Sequence, residues 1–269
     1  MKSKLFIDIG GTHLRSELEI DNKIIKDNIS SQDIDLIEFI EAKLTIYPKI
    51  SFVGISFAGQ VNNGHIISSP NIKVSNHNIK SFFENNYNIK LEIDNDLNCA
   101  IRAESNYFKS KFITAIYIGT GLGCAVIDNG KIVTGAYNQS FELGHIPYKK
   151  SPFICGCGKS NCIELFVSGL AIERWSDYKN ISYDNINLEN KEIKEIFQDA
   201  LLQAIATAIT LSNSQILVLG GGVIKKNPYL IDWIKKEIKN QVMPNILKDI
   251  KIVNSRLKNG AMKGSRLLH

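Results

Sequence analysis

The sequence predicts an α/β protein built from two related domains, and two observations carry that prediction. The first is a pair of widely separated segments that read alike. Apolar Leu5-Phe6-Ile7-Asp8-Ile9 meets Gly10-Gly11-Thr12, a second strand pattern runs from Leu14 to Ile20, and a turn at Asp21-Asn22 leads into Lys23-Ile24-Ile25. Later, Ala115-Ile116-Tyr117-Ile118 meets Gly119-Thr120-Gly121, another strand follows, and a turn at Asp128-Asn129-Gly130 leads into Lys131-Ile132-Val133. Both read strand, glycine-rich turn, strand, turn, strand; Asn-Gly is a strong hairpin signal, and such self-similarity implies a duplicated unit. The second observation is that strand-like runs alternate with helical periods through the rest of the chain, the pattern of an α/β fold.

The remaining elements follow in order. From Asp35 to Tyr47 the apolar residues Leu36, Ile37, Ile40 and Leu44 keep a helical period. Ser51 to Phe57 is an apolar run suited to a buried strand. Leu91-Glu92-Ile93 leads into Asp94-Asn95-Asp96, and a helix is expected from about Asn98 to Phe108. Helices are also expected over Glu164 to Tyr178 and Lys191 to Leu211, with the Asn-rich stretch from Asn180 to Asn190 as a surface loop. Ile216 to Leu219 is a strand ending in Gly220-Gly221-Gly222. Pro228 to Val242 reads as a helix with proline near its start. Ile250 to Val253 is a last strand and Ala261 to Leu268 a short last helix. The domain boundary is expected near Lys111.

A chain of 269 residues can bury one large core or two modest ones. Apolar and charged fractions of 44% and 22% are those of a soluble globular protein. No apolar run approaches the roughly 20 residues of a membrane helix, and MKSKLFIDIGG lacks the features of a signal peptide. A cytoplasmic protein with no membrane partner is expected. The net charge of +5 is spread without a basic stripe or tail, which argues against a nucleic-acid partner.

Glycine lets backbone N–H groups approach a phosphate because no Cβ intervenes. Asp8-Ile9-Gly10-Gly11-Thr12 sets a carboxylate at a strand end beside such a turn, where it can hold magnesium through water while Thr12 donates a hydrogen bond. Gly119-Thr120-Gly121 offers a second cradle and Gly220-Gly221-Gly222 a third. The pattern is neither a Walker A loop nor a dinucleotide fingerprint. Each turn alone reads more readily as a tight hairpin than as a ligand site; three of them at C-terminal strand ends can converge on one nucleotide.

The five cysteines are unevenly placed. Cys99 and Cys124 stand alone, as small core residues do. Cys155, Cys157 and Cys162 cluster, the first separated from His145 by nine intervening residues. Three thiolates and one imidazole form a Cys₃His set suited to structural zinc, with Gly156 and Gly158 supplying sharp turns. The alternative is a solvent-facing loop with incidental thiols. In Asp94-Asn95-Asp96, an aspartate at a strand end and helix start can cap the helix or accept a proton from a hydroxyl nucleophile.

The succession DxGGT, DND, GTG, ELGH with CxCGxxxC, and GGG resembles the ROK family of sugar kinases, within the actin-like, hexokinase-like ATPase superfamily. The resemblance spans Asp8 to Gly264. It implies two actin-like (ribonuclease H-like) domains with ATP and sugar in the cleft between them: a small one over residues 1–112, on which a last helix at 259–269 packs back, and a larger one over 113–258 carrying the zinc loop. It implies transfer of the ATP γ-phosphate, with Mg²⁺, to a hexose hydroxyl, the primary 6-hydroxyl. The catalytic base matches Asp96. Asn95 then hydrogen-bonds sugar hydroxyls and Asp94 is structural. Gly59 and Asn71, in FAGQV and SSPN, match sugar-binding loops. Glu142 and Glu164 match sugar-binding positions, and His145 coordinates zinc through one ring nitrogen while the other faces sugar.

Two positions depart from the family pattern. Ser140-Phe141 replaces small residues before Glu142, and Asn161 replaces a glycine before Cys162, where tolerance of left-handed backbone keeps the turn. Glucose is the expected substrate. Asp94 to Cys99 and Glu142 to His145 also resemble N-acetylmannosamine kinases, which leaves an N-acetylmannosamine or N-acetylglucosamine kinase as the alternative. Two rivals of another class are a sugar-binding ROK regulator and an actin-like ATPase. The first carries an added N-terminal helix-turn-helix, which is not expected here, where the phosphate strand begins by Leu5. The second would lack the cysteine cluster and the DND element. Homodimers are frequent in the family.

Overall fold

The computed structural model describes residues 3–69, 71–182 and 186–269, and in it the chain divides into two units, each organised by one five-stranded sheet. Unit one takes the chain up to Tyr107, then Thr134–Gln139 and Leu257–His269; unit two takes Phe108–Val133 and Ser140–Arg256.

Unit one opens with β1 (Ser3–Ile9), β2 (His13–Ile20) and β3 (Lys23–Ser30), an antiparallel meander. Then come α1 (Leu36–Ile46), β4 (Ile50–Phe57), a short hairpin of β5 (Gln60–Asn62) and β6 (His65–Ser68), α2 (Ile79–Tyr87), β7 (Lys90–Asn95) and α3 (Asp96–Phe108). The sheet order is β3-β2-β1-β4-β7, with β1, β4 and β7 parallel. Unit two repeats the plan. It begins with β8 (Ile113–Ile118), β9 (Leu122–Asp128) and β10 (Lys131–Ile132). These are followed by α4 (Gly169–Tyr178), α5 (Lys191–Ser212), β11 (Ile216–Gly220), α6 (Gly222–Lys226), α7 (Leu230–Glu237), α8 (Pro244–Leu247) and β12 (Lys251–Asn254). Its sheet order is β10-β9-β8-β11-β12, again a meander extended by two parallel strands. The repeat in the sequence is therefore a repeat of topology.

Each unit has its own apolar core. In unit one, Leu5, Ile7, Val53 and Ile55 of the parallel strands pack with Leu36 and Ile40 of α1 and Phe83 of α2. The Asp35 carboxylate starts α1 by accepting the Ile37 N–H at 2.8 Å. In unit two, α5 buries Ala200, Leu201, Ala204, Ile205, Ala208 and Ile209. Its first-turn N–H groups at Glu192 and Ile193 donate to the Asn190 side chain, and Asn213 ends it at φ 43°.

Several boundaries differ from expectation for local reasons. The helix expected from Glu164 begins at Gly169, because Ile163–Leu165 forms a 3₁₀ turn and the Ser168 hydroxyl then caps α4 through the Ala171 N–H at 3.0 Å. The helix expected over Pro228 to Val242 tightens into a 3₁₀ turn at Ile238–Asn240. The β5–β6 hairpin, α2, α6 and α8 were not among the expected elements, although Asn63-Gly64 forms the left-handed turn of that hairpin. Of the expected Asn180–Asn190 loop, residues 183–185 lie outside the described residues. Among the described residues no helix is long and apolar enough to cross a membrane.

The last helix, α9 (Gly260–Ser265), returns to unit one and lies against β1 and β4. The approach is backbone to backbone. A Cβ on Gly264 would lie 1.8 Å from the Cys99 carbonyl oxygen, and one on Gly54 would lie 2.5 Å from the Ser265 carbonyl oxygen. Neither obstacle is a flexible side-chain tip. Gly264→Ala should therefore destabilise unit one by about 1–3 kcal/mol or more in a denaturant titration. Gly260→Ala, whose Cβ meets only ordinary contacts at 3.7 Å, should be neutral or slightly stabilising. Equal effects from the two substitutions would contradict this packing.

Candidate functional site

Parallel pairing brings one set of predicted residues together in unit one. Asp8 of β1, Ser56 of β4 and Asp94 of β7 stand in one register row across the sheet. The Ser56 hydroxyl donates to Asp8 at 3.1 Å, and Arg15 lies 3.5 Å from the same carboxylate. Burial raises the Asp8 pKa against both of these partners. The next residues carry the chain out of the sheet. Gly10 N–H donates to the His13 carbonyl at 3.0 Å and closes the Gly10-Gly11-Thr12 turn. Asn71, at φ 62°, sits beside that turn: a Cβ on Gly11 would come within 3.3 Å of the Asn71 Cβ. Asn71 thus adjoins the turn expected to hold phosphate.

The Asp94-Asn95-Asp96 element divides its labour. Asp94 is held by structure: it accepts from the Asn95 N–H and the Asn98 amide, both at 2.8 Å, and pairs with Arg102 at 3.0 Å. Asn95 shares the start of α3 with Asp96, its side-chain oxygen accepting the Leu97 N–H at 2.9 Å. Its amide donates to the Gly59 carbonyl at 3.0 Å. Gly59 must be glycine there, since a Cβ would lie 2.3 Å from the Ser68 carbonyl oxygen. Asp96 accepts the Leu97 N–H at 2.9 Å. Burial, and then the Asp8 charge, push its pKa up to about 6 against that bond. A carboxylate poised there is suited to taking a proton near neutral pH.

A segment with no sequence signal joins this group. Thr134–Gln139 belongs to unit one, and the Asn138 amide donates to the Val61 carbonyl at 2.6 Å and lies 3.5 Å from the Asp94 carboxylate.

Unit two holds the other set. The turn after β8 closes with Gly119 N–H on the Gly121 carbonyl at 3.0 Å. The start of α4 is seated on it, with Gly169 N–H donating to the Gly119 carbonyl at 2.7 Å. Gly119 and Thr120 share a cavity of about 380 Å³ with Gly169, Leu170, Glu173, Ile186 and Gly222. Two of the three predicted turns therefore face one space, and Glu173, which the sequence did not single out, is its charged lining residue. In the Gly220-Gly221-Gly222 turn the strictest requirement falls on Gly221: its φ is 93° and a Cβ would lie 2.2 Å from the Ile118 carbonyl oxygen. A Cβ on Gly220 would meet the Tyr117 ring at 2.5 Å.

The ligand atoms of His145, Cys155, Cys157 and Cys162 all lie within 4.8 Å of one another. The Cys157 and Cys162 sulfurs are 3.3 Å apart, and His145 Nδ1 is 3.5 Å from the Cys155 sulfur. Tetrahedral zinc with bonds of about 2.0–2.3 Å holds its ligand atoms about 3.5–3.8 Å apart, so this donor set fits the ion. The Lys159 N–H, with help from Cys162, holds the Cys157 thiol down at about 7, favouring a thiolate ligand. His145 Nε2 points the other way, 3.9 Å from the exposed Glu142 carboxylate.

Two expectations about this loop are corrected. Gly158 is left-handed at φ 85°, but Gly156 is not, and a Cβ on it would meet nothing. Asn161 is not left-handed either: its carbonyl accepts the Tyr148 N–H at 2.8 Å and Cys162 bridges Pro147 in an antiparallel pair. The left-handed burden falls instead on Phe141, at φ 59°, immediately before Glu142. A bulky residue there is strained, and its ring packs on the unit-two core.

Glu164 is more enclosed than a surface carboxylate. Its Oε2 accepts the Leu122 N–H at 2.8 Å, directly after the Gly119–Gly121 turn, and its Oε1 lies 3.8 Å from the Cys155 sulfur.

The ROK family profile matches residues 5–268. A glucokinase from Thermotoga maritima is 25% identical, aligned over 93% of this chain and 92% of its own. A xylose repressor from Bacillus spizizenii is also 25% identical, over 84% of this chain but only 63% of its own length. Among solved structures, a ROK family glucokinase from Streptomyces griseus in complex with glucose and AMPPNP superposes with a TM-score of 0.73 at 21% identity, covering 99% of both chains. With the match running almost end to end, this chain belongs to the ROK family.

Proposed function

We propose that the protein is an ATP-dependent hexose kinase, and the observation that carries this reading is the half-buried Asp96 carboxylate at the start of α3, which follows the strand end beside Asp8 and Ser56, accepts the Leu97 N–H and has its pKa raised to about 6 by desolvation and the Asp8 charge. A sugar hydroxyl is a weak nucleophile until its proton has an acceptor. Asp96 would take that proton as the hydroxyl attacks the γ-phosphate, most simply from the primary 6-hydroxyl. Asn95, Gly59, Glu142, His145 and Glu164 would bind the sugar, with Asn71 steadying the Gly11 turn. The turns at Gly10-Gly11-Thr12, Gly119-Thr120-Gly121 and Gly220-Gly221-Gly222 would hold the nucleotide. Asp8 would hold Mg²⁺ through water, the ion neutralising phosphate charge. Glu173 suits ribose hydroxyls, as acidic residues do in other nucleotide sites. His145, Cys155, Cys157 and Cys162 would hold a structural zinc that clamps the loop carrying Glu142. Glucose is the first substrate to try, with N-acetylmannosamine and N-acetylglucosamine next. Similarity to xylose repressors favours a second reading, a sugar-binding regulator, which requires sugar binding without turnover.

ADP release measured over a panel of hexoses and N-acetylhexosamines, with magnesium, should be appreciable only when the right sugar is present. Sugar-independent release would favour a plain ATPase, and sugar binding without release would favour the regulator.

Asp96→Asn should slow sugar-dependent ADP release by about 10²–10⁴-fold with little change in sugar affinity, since an amide still hydrogen-bonds a hydroxyl. Asp94→Asn should cost stability more than rate, given its bonds to Asn98 and Arg102. In wild type, kcat/KM should fall as pH drops through about 6 and protonates Asp96. If Asp94→Asn abolishes the rate and Asp96→Asn spares it, the base is misassigned.

Purified protein should carry one zinc per chain by elemental analysis. Cys157→Ser should release it and weaken sugar binding. Metal-free wild type that binds sugar normally would count against the zinc assignment.

A further inference from the structure

A single carboxylate touches three separately recognised pieces of unit two. Glu164 Oε2 accepts the N–H of Leu122, the residue that leaves the Gly119–Gly121 turn and begins β9. Glu164 Oε1 faces the Cys155 sulfur at 3.8 Å. The side chain reaches these partners by lying against bare backbone on both sides. A Cβ on Gly121 would come within 2.4 Å of Oε2, and a Cβ on Gly144, the neighbour of His145, would come within 3.4 Å of Oε2 and 3.5 Å of the Glu164 Cβ. Glu164 also lines a cavity of about 270 Å³ whose wall includes Thr120 and Gly121 on one hand and Cys155 and Gly156 on the other. The residue stands two positions after the ligand candidate Cys162, in the 3₁₀ turn that interrupts the expected helix. The cysteine loop therefore carries, two residues beyond Cys162, an acceptor bonded to the first residue after the glycine turn.

We propose that Glu164 is a positioning residue that couples the zinc loop to the Gly119–Gly121 turn, so that metal occupancy raises affinity for the nucleotide even when no sugar is bound. This rests on the kinase and zinc assignments above. Coupling of this kind is a free energy shared by two sites, and removing the group that carries it makes them independent. A purely sugar-binding Glu164 would leave nucleotide affinity untouched.

The test is a cycle on the full chain with sugar absent. ADP affinity is measured by calorimetry for wild type, Glu164→Ala and Glu164→Gln, each zinc-loaded and chelator-stripped, with zinc content and melting transitions recorded alongside. Stripping wild type should weaken ADP binding by about 5–10-fold, at the lower end of usual couplings. Zinc-loaded Glu164→Ala should already show that weaker affinity, with less than a twofold further change on stripping. Glu164→Gln, whose amide oxygen still accepts the Leu122 N–H, should keep most of the wild-type response. Cys157→Ser supplies the metal loss without chelator and should match stripped wild type, which keeps the test open if Glu164→Ala does not fold. Equal zinc effects in wild type and Glu164→Ala overturn the coupling alone. Wild type that binds no ADP overturns the kinase reading and the coupling with it.

Discussion

Parallel strand pairing is the constraint from which the candidate site follows. In-register residues on parallel strands share a face, and the strands end together at one edge. In unit one this sets Asp8, Ser56 and Asp94 in a row, so that the Gly10 turn and the Asn95-Asp96 step leave the sheet at neighbouring points. In unit two it pairs Tyr117 with Gly220, so the turns after β8 and β11 open on the same cavity. Neither grouping needs residues close in sequence. The same topology used twice gives each unit a phosphate-type turn at an equivalent place.

The second determinant is how little side chain the crowded strand ends allow. Gly59, Gly121 and Gly221 each stand where a Cβ would come within about 2.4 Å of another group, two of them against backbone carbonyls. Space gained this way is filled by polar groups with defined partners: the Asn95 amide against Gly59, the Glu164 carboxylate against Gly121. Asp96 differs from its neighbour Asp94 in this respect. Asp94 has an arginine and two amides around it, whereas Asp96 has burial and the negative Asp8 nearby, and its pKa rises. Two carboxylates separated by one residue thus stand in different environments, as the role proposed for Asp96 requires.

Much of this was legible in the sequence because it depends on local chemistry. Glycine turns after apolar runs, the Asp94-Asn95-Asp96 junction and the spacing of Cys155, Cys157 and Cys162 each announce a backbone requirement or a donor set. What was not legible depends on distant partners. The helix pattern continues through Glu164, yet the Leu122 N–H and the Ser168 cap break it. Thr134–Gln139 has no periodicity that would assign it to unit one; Asn138 does so by bonding Val61. Asn161 was expected to be left-handed by comparison with glycine, whereas strand-like bonding to Tyr148 sets its conformation and Phe141 carries the strain. Glu173 and the second partner of Glu164 become visible only once helices and turns share a cavity.

The claim at the centre of this account is that phosphate moves from ATP to a sugar hydroxyl and not to water. Phosphorus NMR of the wild-type protein with ATP, magnesium and glucose, repeated with the two N-acetylhexosamines, observes the acceptor directly. The account predicts a sugar phosphomonoester resonance that grows as the ATP γ-resonance declines, in step with ADP. Inorganic phosphate as the sole new product, or an unchanged spectrum with every sugar, would contradict it.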